Sequence, residues 1–275
     1  NQKSKITIKD LLAHASGLPA FKQYYKEEKT RELVLESIYD TVPIKSNRDT
    51  TIYSDVGAII LGEIVEKISG LPLNVFADSM IFKPLGMGTT FFNPPSNKMR
   101  RIVPTEFKPD GTIVHGYVHD ENAYSLGGVA GHAGLFSTAK DLAVFSQMML
   151  NDGLYGWKRI FKTETVNEFT TKANVVDGSS RLLGWDSPGG YASGGIYLSD
   201  NSFGHTGFTG TSMWIDPDQG IIVILLTNAV HPNRKNKSPK YYDWRQRIHS
   251  SVYESLSIID KNPNLKLRPR WEEGE

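Results

Sequence analysis

The chain has 275 residues, and its 31 basic residues offset 30 acidic ones for a net charge of +1. That length buries a substantial core as one large domain or two small ones, and the near-neutral balance gives no reason to expect nucleic acid or an anionic membrane surface as a partner. The absence of cysteine excludes disulfides, thiolate metal sites and a cysteine nucleophile. No apolar run approaches the roughly 18 residues of a membrane span, the longest being Ile221 to Leu226. The sequence opens on Asn1-Gln2-Lys3, with neither a Met nor a signal-peptide pattern, and is expected to have lost its natural start.

In chain order, the first strong element is a helix. Val56, Ile59, Ile60, Ile64 and Ile68 recur at helical spacing, Ser54 or Asp55 can cap its start, and Gly70 can stop it. Met87 to Gly134 is rich in Pro, Gly and Asn with no sustained period and reads as loops and short pieces. Helix is expected again over Thr138 to Leu150, and a short one from Thr163. Two apolar runs, Ser212 to Ile215 and Ile221 to Leu226, flank Asp216-Pro217-Asp218-Gln219-Gly220 and predict a hairpin. Its second strand, apolar throughout, reads as buried on both faces. Tyr241 to Ile259 predicts a carboxy-terminal helix with Trp244, Ile248, Val252 and Leu256 on one stripe. The basic run Lys266 to Arg270, followed by Glu272, Glu273 and Glu275, reads as a solvated tail. No linker or repeat divides these parts. The expectation is a single α+β domain over 1–275, with a helical and loop region over about 8–175 and a sheet plus carboxy-terminal helix over about 180–260.

The residues that carry chemistry are Tyr53-Ser54-Asp55 at the helix entrance and His205-Thr206-Gly207 far downstream. They resemble the second and third motifs of the serine β-lactamase and penicillin-binding protein superfamily, in its class C, esterase and D-peptidase branch. Five ordered blocks extend the resemblance from about Ile6 to Ala229: Ile6 to Leu18, Tyr53 to Gly70, Phe82 to Met87, Gly131 to Thr138 and Gly204 to Pro217. The resemblance implies a β-lactamase/transpeptidase-like fold, an antiparallel sheet flanked by helices with a helical subdomain. Strands upstream of Asn1 are expected to complete the sheet. It also implies acyl transfer through a serine acyl-enzyme on a small-molecule or peptide-like ester or amide, with neither cofactor nor metal. The site implied is Tyr53, Asp55 and His205 as catalytic groups, converging on one cleft. Thr206, Gly207, the Phe208 backbone N–H and His132 would line the substrate and oxyanion subsites. The family's Ser-x-x-Lys nucleophile motif precedes the tyrosine motif, and nothing of that kind precedes Tyr53. A periplasmic or extracellular location follows from the same resemblance.

A phenol titrates near pH 10, so Tyr53 serves as a base near neutrality only if neighbouring cations hold its anion or relay its proton. His205 stands where β-lactamases have Lys; a mostly uncharged imidazole points away from carboxylate-bearing substrates and toward neutral esters or other amides. Asp55, in place of the family's Asn, pushes the same way. Ser137-Thr138-Ala139-Lys140 matches Ser-x-x-Lys, but it follows Tyr53, and Thr138 with Asp141 reads as a helix cap. His115, His119, Asp120 and His132 cluster in an irregular segment, where Gly116 replaces the Glu of a zinc-protease pair, and read as loop groups or pocket wall. A second class stays open beside the hydrolase: a binding or regulatory module that has lost catalysis, carried within a larger enzyme.

Overall fold

The computed structural model describes residues 2–27, 30–237 and 239–269. The chain forms two compact units: residues 1–103, 114–141 and 173–184 make the first, and 104–113, 142–172 and 185–275 the second. No described helix is long and apolar enough to cross a membrane.

The first unit is built around helices: α1 (Ile8–Leu12), α2 (Tyr24–Glu27), α3 (Arg31–Asp40), α4 (Asp55–Ser69), α5 (Leu73–Ala77), α6 (Lys83–Leu85) and α7 (Glu121–Ser125). One short antiparallel pair joins β1 (Phe91–Phe92) to β2 (Leu135–Phe136). α4 starts and stops as its sequence predicts: the Ser54 hydroxyl accepts from the Gly57 N–H, and Gly70 closes the helix in the left-handed conformation. Val56 and Ile59 are buried against Leu11, Val34, Ile38 and Leu126, with Ile60 and Ile64 half-buried beside them. Ile68 alone of the predicted stripe faces water. Asp10 is fully buried, and the Arg48 guanidinium, the Thr7 N–H and hydroxyl, and the Asn47 amide all donate to it. Burial opposes its charge, yet these donors hold its carboxyl below the usual carboxylate range.

In the second unit, α8 (Ala139–Leu150, from Leu142 onward), the ribbon β3 (Leu154–Tyr155) and β4 (Lys158–Arg159), and α9 (Thr163–Thr170) precede an antiparallel sheet. Its order is β5 (Phe203–Thr206), β6 (Ser212–Asp216), β7 (Ile221–Leu225), with His205 opposite Met213 and Trp214 opposite Val223. The expected hairpin is present, but β7 is an edge of this sheet and only its Val223 is fully buried, so the expected burial on both faces is not met.

The last helix, α10 (Pro239–Ser255), departs further. Its predicted apolar stripe faces outward: Trp244, Ile248 and Leu256 are exposed and Val252 is half-buried. The buried face carries Gln246, His249, Ser250 and Tyr253. Polar side chains win that face because irregular segments packed on it need partners. Gln246 donates to the carbonyls of Ala192 and Lys266 and accepts from the Arg268 N–H. Ser250 accepts from the Ile196 N–H, and the Tyr253 hydroxyl donates to buried Asp216. These bonds also correct the solvated-tail expectation as far as Arg268: the Lys266 N–H donates to Gly190, and Leu265 enters the core. Glu272, Glu273 and Glu275 lie outside the described residues.

Candidate active site

Tyr53 sits on a short extended segment that two stretches of the first unit hold in place. The Ile52 N–H donates to the His14 carbonyl, the Asp55 N–H to the Ala20 carbonyl, and the Ser54 hydroxyl to the Pro19 carbonyl at 2.7 Å. Side chains alternate along extended backbone, so drawing Ser54 inward turns Tyr53 outward, where it is 42% exposed.

His14 and Arg181 both engage its ring. His14, just past the end of α1 at a φ of 54°, accepts from the Ser54 N–H through Nδ1 at 3.1 Å, and its ring centroid lies 4.4 Å from that of Tyr53. A neutral His14 therefore carries its proton on Nε2. The guanidinium of Arg181 lies over the Tyr53 ring, 5.1 Å from the centroid. The irregular strap that bears it is pinned on both sides: Thr51 donates to Ser179 at 2.9 Å, and the Gly184 N–H donates to the Leu12 carbonyl. Neither His14 nor Arg181 was assigned a role by sequence reasoning. His14 lies inside a family-like block, whereas no local pattern marks Arg181.

Asp55 is the first residue of α4, and burial raises its carboxyl pKa. The charges of His132 and Asp120 act on it in opposite senses, the imidazole lowering and the carboxylate raising it. His132 reaches this face because Gly131 lies against α4: a Cβ on Gly131 would meet the Ala58 carbonyl at 2.0 Å, so only glycine allows the approach. The side chain of His132 is almost fully buried, and Nε2 bonds Asp120 at 2.8 Å. Burial disfavours charge on Asp120, but the bond from His132 and the N–H groups of Ala123 and Asn122 hold its pKa low. His132, expected to line the substrate subsite, is thus engaged with the cap of α7.

The third-motif residues belong to the second unit. His205 lies on β5, half-buried, and donates from Nδ1 to the Thr206 carbonyl at 2.9 Å, which makes Nε2 the acceptor of a neutral ring. Thr206 pairs with Ser212 on β6. Gly207 opens a tight return whose N–H donates to Thr211; a Cβ there would meet the Thr211 hydroxyl at 2.2 Å. Phe208 is exposed, its carbonyl accepts from Lys237, and Arg234 and Lys237 lie over its ring.

The Ser137-x-x-Lys140 match has a capping geometry. Thr138 accepts from the Asp141 N–H, Ser137 shares a hydrogen bond with Thr90, and Lys140 is exposed rather than buried as a catalytic lysine would be. His115 donates to the carbonyls of Met99 and Ile102. Among the described residues, no group of three or more His, Asp or Glu side chains is arranged to hold a metal ion.

Comparison with known proteins agrees with these motifs. The β-lactamase family profile matches residues 1–247. A putative D-alanyl-D-alanine carboxypeptidase of Escherichia coli K12 is 38% identical over 258 residues, covering 83% of this chain and 58% of that protein. An N-acetylmuramyl-L-alanine amidase of Bacillus subtilis is 38% identical over 255 residues, 83% of this chain and 57% of that one. The chain thus spans less than two thirds of the curated relatives it matches. Among solved structures, the hydrolase EstCE1, described as having promiscuous acyltransferase activity, aligns with a TM-score of 0.65 at 18% identity, over 90% of this chain and 72% of that one. Two unlike units, an α+β architecture and both downstream motifs in family order lead to one statement: the chain belongs to the β-lactamase family.

Proposed function

We propose that this chain supplies the proton-handling and substrate-binding groups of a serine hydrolase that cleaves an ester or an uncharged amide through an acyl-enzyme. Tyr53 is the proton carrier. As a serine Oγ bonds to the substrate carbonyl carbon, its proton passes to the Tyr53 oxygen and then to the departing oxygen or nitrogen as that bond breaks; water repeats the exchange to release the acid. His205 accepts or donates a hydrogen bond to the substrate, Thr206 and Gly207 edge its subsite, and the Phe208 N–H is one oxyanion donor. Asp55, with His132 and Asp120 behind it, fixes the entrance of α4 on which Tyr53 stands.

The observation that carries the reading is the mounting of Tyr53: a half-exposed phenol presented at a capped helix entrance, with an imidazole and a guanidinium at its ring. The nucleophile is assigned to polypeptide outside these 275 residues, in a Ser-x-x-Lys segment. The share of the relatives left unmatched supports this, as do the outward apolar stripe of α10 and the edge position of β7, which suit further packing. The names of the relatives, D-alanyl-D-alanine carboxypeptidase and an amidase, support an amide of the cell envelope as substrate and a periplasmic or extracellular setting, while the preference for an uncharged one rests on His205 alone.

The test is turnover of an aryl ester and of an N-acyl-L-alanine amide by the longest native polypeptide containing this chain. Tyr53→Phe should lower kcat by at least ~100-fold, and Ser137→Ala should leave it unchanged. Equal loss in both variants, with folding intact, contradicts the reading. Substrate binding without turnover in the unaltered polypeptide would favour a non-catalytic binding module instead.

A further inference from the structure

The chemistry assigned to Tyr53 poses a question that its motif does not answer. A phenol is a poor proton acceptor near neutrality unless a cation stabilises its anion. The family's usual cations are the lysine of the nucleophile segment, absent from these residues, and the first residue of the third motif, which here is His205. The first unit nevertheless contains a permanent cation at the ring itself.

We propose that Arg181 is the resident counter-charge of the Tyr53 phenol, a positioning residue that makes this tyrosine more acidic before any other segment is added. The proposal rests on Tyr53 being the proton carrier. Two observations and one physical argument support it. The guanidinium carbon lies 5.1 Å from the ring centroid, within cation–π reach. Deprotonation adds charge to the ring, so the same cation attracts phenolate more strongly than phenol, and that difference lowers the pKa. The placement is also built rather than incidental: Ser179, two residues away, accepts from Thr51, two residues before Tyr53, while the Arg181 N–H donates to the Ser179 hydroxyl and the Arg181 carbonyl accepts from the Ala173 N–H.

Two other titratable groups, His14 and Asp55, act on this position. His14 meets the ring from the end of α1; its Nδ1 is committed to the Ser54 N–H, so it holds the ring as a neutral imidazole and adds charge only when protonated. Asp55, next in the chain at the head of α4, opposes phenolate formation, and its charge is in turn offset by His132. Arg181 is therefore a group whose sign favours the anion at every pH relevant to acyl transfer. Because Tyr53 is 42% exposed, the effect is screened and should weaken as salt rises.

The test uses the 275-residue chain as it stands, labelled with ¹³Cζ-tyrosine and titrated by NMR, with Tyr53→Phe to assign the resonance. In low salt Tyr53 should titrate below a free phenol, the shift should shrink in high salt, Arg181→Gln should remove it, and Arg181→Lys should retain part of it. A Tyr53 that titrates at or above a free phenol in the unaltered chain overturns the proposal, whether or not the Gln variant folds. So does an unchanged value in a folded Arg181→Gln variant. The titration needs no serine and no substrate, so its failure is distinguishable from failure of the hydrolase reading, which Tyr53→Phe turnover decides.

Discussion

Helices α4 and α10 carry the same kind of apolar stripe and use it in opposite ways. On α4 the stripe goes inward: Val56 and Ile59 are buried, and the exposed residues are those at its margins. On α10 the stripe goes outward, and Gln246, His249 and Ser250 are buried in its place. The neighbours account for the difference. The buried stripe of α4 meets apolar side chains, several of them on helices α1 and α3 whose backbone groups bond within their own turns. α10 packs against loops near 190–199 and 262–268, and its polar side chains bond backbone groups there: the Ile196 and Arg268 N–H and the Ala192 and Lys266 carbonyls. A stripe at helical spacing shows that a helix has two faces; which one is covered depends on what lies against it.

The largest effect that sharpens this comparison is truncation of the α4 face. Ile59→Ala should cost about 3 kcal/mol in chemical denaturation, as expected for a fully buried aliphatic side chain. A cost under about 1 kcal/mol would mean that α4 is not packed as described.

Next comes the pH response of the two units. Burial depresses the pKa of His249 to about 4, with the Arg245 charge adding to the effect. The unfolded chain takes up that proton below its ordinary value of 6.5 while the fold resists until about 4. Stability should therefore fall as pH drops from 6.5 to about 4, by about 3 kcal/mol. His249→Gln, keeping a polar group beside Ser212, should flatten that slope. Asp10 in the first unit behaves differently: its lowered pKa means stability present above 3.8 that is lost only as pH falls below it. Thermal unfolding across pH 3 to 7, with and without His249→Gln, separates the two windows; a slope that survives the substitution assigns it to another group.

The smallest effect is on the outer face of α10, where Ile248→Ser should change the stability of this chain by less than about 0.5 kcal/mol. The same change in a longer native polypeptide should cost more if further chain covers the stripe. Equal small costs in both would leave that face solvated.

How much of this was legible in the sequence follows the same division. The α4 boundaries could be read because they rest on local chemistry: the Ser54 cap, the apolar period and the left-handed Gly70. The β6–β7 hairpin could be read from its turn residues, though the edge position of β7 could not, since it depends on which strands pair. The burial of Gln246 and the docking of Lys266 depend on contacts between residues 20 or more apart, which no local pattern encodes. At the candidate site the Tyr53 and His205 motifs were visible as residue types in family order. Arg181 was not, because it reaches Tyr53 from 128 residues downstream through a strap of irregular backbone. The buried engagement of His132 with Asp120 was hidden for a related reason: it depends on Gly131 lying against α4.

The central claim, that this chain holds the proton-handling and binding groups but not the nucleophile, is tested most directly by intact-mass spectrometry after incubation with a fluorophosphonate. The bare 275-residue chain should gain no covalent mass, and addition of an upstream Ser-x-x-Lys segment, fused or as a separate peptide, should produce labelling at the added serine. Stoichiometric labelling of the bare chain, at Ser137 above all, would contradict the account.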